Sequence, residues 1–65
     1  MAYQIELIFQ DHDLGKLLRG KFKVDRSILT VIAEDGRRMT AQLGGNDADA
    51  MARLMLREME IEKPH

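Results

Sequence analysis

The sequence predicts an α+β domain in which a four-stranded antiparallel meander is followed by one C-terminal amphipathic helix packed on one sheet face. Three observations carry that expectation. Apolar and polar residues alternate with period two as far as Leu43, turn-forming residues interrupt the alternation at three places, and after Gly44-Gly45 the apolar period becomes helical.

In the first strand Tyr3, Ile5, Leu7 and Phe9 share one face, with Gln4, Glu6, Ile8 and Gln10 on the other. Asp11-His12-Asp13-Leu14-Gly15-Lys16 breaks the pattern with turn formers. Leu18, Gly20, Phe22 and Val24 resume it, separated by Arg19, Lys21, Lys23 and Asp25. Asp25-Arg26-Ser27 reads as a three-residue turn. Ile28 to Ala33 is a β-branched, apolar run suited to an interior strand. Asp35-Gly36 is the strongest hairpin signal in the chain and reads as a two-residue turn with positive φ. Met39, Ala41 and Leu43 then alternate with Arg38, Thr40 and Gln42.

These turns imply a register. A loop over residues 10–17 pairs Phe9 with Leu18, Leu7 with Gly20, Ile5 with Phe22 and Tyr3 with Val24, and sets Glu6 opposite Lys21. The next two turns pair Phe22 with Thr30 and Ile32 with Met39. Every strand then sends its apolar set to one face, with Ile28, Thr30 and Ile32 inward and Leu29 and Val31 outward. A slip of one residue at any turn turns a strand over.

Asn46 or Asp47 caps a helix that runs to about Glu62, and the early acids Asp47 and Asp49 suit its positive end. Pro64 stops any continuation. Ala48, Ala52, Met55, Leu56 and Met59 form a stripe suited to the sheet. Met51, Leu54 and Ile61 form a second stripe, interrupted by Glu58, and are the expected contact of a homodimer.

Sixty-five residues make one domain, 1–65, burying only ~60% of the surface that its unfolded chain exposes. Chains this small often gain stability from a partner subunit. Cysteine is absent, which removes disulfides and thiolate chemistry and fits a reducing cytoplasm. No secretory leader and no membrane-spanning segment are expected.

Net charge is −1, a poor start for a generic polyanion binder. Its distribution is uneven: residues 1–45 hold seven Lys/Arg against six Asp/Glu, residues 46–65 three against five. Between Lys16 and Arg26 five cations accompany a single acid, Asp25. Arg19, Lys21, Lys23, Leu29, Val31 and Arg38 are therefore the expected partner-binding face, an apolar centre with a basic rim. It lacks the stacking aromatics of sheet-based RNA readers.

Gly44-Gly45 before a helix carries no phosphate, since Asp47 and Asp49 occupy the first turn and would repel one. Asp11-His12-Asp13 reads as solvated loop, because a metal needs convergent ligands from elsewhere. Ser27, Thr30 and Thr40 have no base at nucleophile spacing. No catalytic, cofactor or metal site is expected. The expected function is that of a small cytoplasmic, non-catalytic protein-interaction or structural module that pairs with itself or another protein. The alternative is a regulatory nucleic-acid-binding protein using the basic face.

Overall fold

Alternation builds the first hairpin as the sequence implies. In the computed structural model, which describes residues 4–63, β1 (Ile5–Asp11) and β2 (Lys16–Asp25) pair antiparallel with Ile5 opposite Phe22, Leu7 opposite Gly20 and Phe9 opposite Leu18. Glu6 stands opposite Lys21. The expected Tyr3–Val24 pair and the Pro64 stop lie outside the described residues. The connection is shorter than expected, because pairing continues to Asp11 and Lys16. Asp11 closes it twice: its carbonyl accepts from the Gly15 N–H at 2.8 Å and its carboxylate from the Leu14 N–H at 2.9 Å.

The next strand corrects the expectation. β3 (Ile28–Ala33) pairs with β2 through a two-residue turn at Arg26-Ser27, not a three-residue one. Both turn residues have positive φ, 51° and 66°, although neither is glycine. A turn of this hand matches the twist of its strands, which favours it despite ~1–2 kcal/mol of backbone strain at each residue. Phe22 consequently meets Val31, and Gly20 meets Ala33. The strand is turned over: Leu29 and Val31 are the core, at 0% exposure, while Ile28, Thr30 and Ile32 take the other face.

Two features explain that outcome. The expected register would bury the Thr30 hydroxyl, which is costly without a hydrogen-bond partner. It would also set Ile32 beside Gly20, where the structure needs space. A Cβ on Gly20 would lie 2.8 Å from the Ile32 carbonyl oxygen and 3.1 Å from Leu56 Cδ1. Small Gly20 and Ala33, side by side, make room for the helix.

The last turn is also displaced by one residue. It is a three-residue loop, Glu34-Asp35-Gly36, with Gly36 at φ +94°. The Ala33 N–H donates to the Arg37 carbonyl at 2.8 Å, and the Gly36 N–H to the Ala33 carbonyl at 2.9 Å. β4 (Arg38–Gln42) then pairs Met39 with Val31 and Ala41 with Leu29. The two displacements cancel, so Met39, Ala41 and Leu43 keep their expected face and β3 alone changes sides. Sheet order is β1-β2-β3-β4, the ββββα architecture of an α+β fold.

α1 (Ala48–Ile61) is capped by Asp47, whose carboxylate accepts from the Ala50 N–H at 3.0 Å. Asn46 instead donates to the Leu43 carbonyl. The helix lies chiefly over β3 and β2, with lesser contact to β1. Ala52, Met55, Leu56 and Met59 pack on Leu7, Leu18, Phe22, Leu29 and Val31. Among the described residues no helix is long and apolar enough to cross a membrane.

Candidate binding face

Charges divide between the two sides of the sheet according to what they hold. On the helix side, Asp11 and Lys16 are register partners at one end of β1 and β2, and each reaches α1. Lys16 Nζ lies 2.6 Å from Glu60 Oε1. Arg57 Nη2 donates to Asp13 at 2.9 Å, while its Nε stands 3.4 Å from Asp11 Oδ2, an ion contact without hydrogen-bond geometry. Arg37 Nε pairs with Asp35 at 2.9 Å, and its Nη2 donates to the Met59 carbonyl at 2.8 Å. Arg53 pairs with Asp49 at 3.2 Å and lies over the Phe9 ring. Helix α1 has no basic residue in its last turn and carries Glu58 and Glu60 near its negative end. Lys16 of β2 and Arg37, just before β4, supply the compensating cations.

Asp11 is therefore not the solvated loop residue expected from its neighbours. It is 9% exposed and helps to fasten the helix. His12 is exposed, and among the described residues no group of three or more His, Asp or Glu is placed to hold a metal. Two of the acids have lowered pKa values. The Lys16 ammonium donating to Glu60 holds that carboxyl below its ordinary 4.5, and the Arg37 N–H donating to Asp35 lowers that one from 3.8.

On the open side the cations are not spent in this way. Alternation along β2 projects Arg19, Lys21 and Lys23 outward, and Arg38 joins them from β4 across Ile32. Among the described residues none of these four lies within ion-pair distance of a carboxylate, whereas Lys16, Arg37, Arg53 and Arg57 all do. The outward β2 cations are about 7 Å apart, the spacing of alternate residues in a strand. Thr30 and Thr40 are register partners beside Lys23, so two hydroxyls adjoin the cation column. A shallow depression of about 450 Å³ runs between Glu6, Arg19, Lys21, Ile32, Glu34 and Arg38.

Four of the six residues expected on this face are thus brought together: Arg19, Lys21, Lys23 and Arg38. Leu29 and Val31 are not there, because β3 is turned over. Their places are taken by Ile28 and Ile32, and Thr30 is added. The sequence signal for these three is weak. Ile28 to Ala33 is apolar on both alternations, and only Thr30 marks which side prefers water. On the helix, Leu54 and Ile61 are exposed, at 62% and 54%, but Met51 is half-buried against the core and does not join them.

No family model, curated protein or solved structure matches this chain.

Proposed function

We propose that the chain is a small cytoplasmic, non-catalytic protein-interaction module whose working surface is the open sheet face. The observation that carries this reading is the division of its cations. Those on the helix side pair with carboxylates or with the backbone of α1, whereas among the described residues Arg19, Lys21, Lys23 and Arg38 have no carboxylate within ion-pair distance. Unpaired cations held in a row by a rigid sheet favour a partner of opposite charge and discriminate against like charge. Absence of cysteine agrees with a reducing compartment. A second reading, self-association through the helix, is favoured by the exposure of Leu54 and Ile61.

Comparative capture separates the surfaces. Immobilised wild type, Lys21→Glu/Lys23→Glu and Leu54→Glu are exposed to extract from the source organism at low and high salt. Retention of a defined protein by wild type and Leu54→Glu, and its loss with the double variant, is the expected outcome. A captured set unchanged by the double variant overturns the open-face reading.

A further inference from the structure

We infer that the open face takes an extended, carboxylate-rich segment of another protein that turns an acid toward the sheet at every second residue. This rests on the reading that the open face is the binding surface. Charge complementarity selects the occupant. The open face carries four cations from β2 and β4, against Glu6 from β1, Asp25 at the end of β2 and Glu34 from the turn after β3. A second copy laid face to face would set cations against cations, so self-association uses another surface. A polynucleotide would satisfy the charges but not the rest of the face. Its single-stranded readers stack bases on aromatics, whereas Phe22 is in the core and Phe9 packs against it on the helix side. Ile8 stands opposite Arg19 and Ile32 lies between Lys21 and Arg38 instead, and they suit the methylene stems of acidic side chains.

Spacing supports the same occupant. Arg19, Lys21 and Lys23 span about 14 Å at alternate strand positions. An extended segment with an acid at every second residue repeats at the same interval. Lys21 and Arg38 flank Ile32 in one row, so a carboxylate there has a cation on either side and an aliphatic floor between them. In the next row the Thr30 and Thr40 hydroxyls stand beside Lys23 as further donors.

The test uses the full chain labelled with ¹⁵N and three probes. These are a capped heptapeptide Asp-Ile-Glu-Val-Glu-Leu-Asp, the same peptide with lysine for each acid, and a thymidine dodecamer. The acidic peptide is expected to shift the amides of Arg19, Lys21, Lys23, Ile32 and Arg38. Its affinity should fall several-fold as salt rises from ~50 to ~300 mM, since exposed charges are then screened. In Lys21→Glu/Lys23→Glu, its affinity should fall at least about tenfold, with the dispersed spectrum of the fold retained; the loss of ~1.4 kcal/mol is the conversion of that factor. Equal binding of the lysine peptide, or binding of the dodecamer as tight as that of the acidic peptide, overturns the inference. An acidic peptide that shifts nothing also overturns it, and the capture experiment then decides the wider reading. Capture that still depends on Lys21 and Lys23 leaves the open face as the binding surface with a different occupant; capture that does not removes both.

Discussion

At the scale of single residues, the fold rests on a few positions whose chemistry is local and testable. Gly20 is one: its missing side chain lets β2 approach β3 and lets Leu56 descend between them. Gly20→Ala places a methyl 2.8 Å from the Ile32 carbonyl, a backbone atom that cannot swing aside. Denaturant unfolding should show a loss of about 1–3 kcal/mol, the usual cost of overpacking. Unchanged stability would mean that Gly20 does not face Ala33 beneath Leu56. Lys16 and Glu60 make a second local test. The Glu60 pKa is lowered in the fold, so its contribution is present above 4.5 and is lost as pH falls through that value toward the lower folded pKa. Below that range the group is protonated in both states and contributes nothing. The contribution is small, because the pair is partly exposed and screened. Between about pH 6 and about pH 3, Glu60→Gln should lose less stability than wild type in matched thermal melts. An identical loss in both would show that the Lys16 contact does not hold the carboxylate.

At the scale of elements, the sequence is legible where alternation is strict and silent where it is not. β1 and β2 alternate cleanly, and their register agrees pair by pair. The helix is legible from its stripe and its acidic cap, with Asp47 in the capping position. β3 departs from its expected orientation because Ile28–Ala33 is apolar at nearly every position and its leading turn, Arg26-Ser27, contains no glycine to mark positive φ. What fixes its orientation is tertiary: the small Gly20–Ala33 pair beneath Leu56 and the preference of Thr30 for the open side. The wide apolar arc of α1 has a similar lesson. Spacing groups Met51 with Leu54 and Ile61, but it lies on the flank that the core reaches. If the helix pairs with itself, the two exposed residues are the contact, and apparent stability must rise with protein concentration. Sedimentation at two concentrations should show a reversible dimer that Leu54→Glu abolishes without unfolding the monomer. A wild type that remains monomeric at high concentration ends the self-association reading.

At the scale of the whole molecule, one helix closes one face of a four-stranded sheet and leaves the other open. The candidate site is partly legible, since Arg19, Lys21 and Lys23 alternate along one strand whatever its neighbours do. Arg38 keeps its expected side because two one-residue displacements cancel at β4. Ile28, Thr30 and Ile32 are not legible, as their side depends on a turn that composition does not announce. Nor is the helix-side clasp, because Asp11 and Arg57 are distant in sequence and meet only when α1 docks. The central claim is that the open-face cations serve binding and not the fold. It is tested most directly by the thermal midpoint of Lys21→Glu/Lys23→Glu. Exposed charges contribute little, and a second acid placed directly opposite Glu6 costs at most about 1 kcal/mol. The midpoint is therefore expected to fall by no more than about 4–8 °C, the shift that 1 kcal/mol produces in a domain of this size. Loss of the cooperative transition would contradict it, because Lys21 and Lys23 would then be holding the fold together.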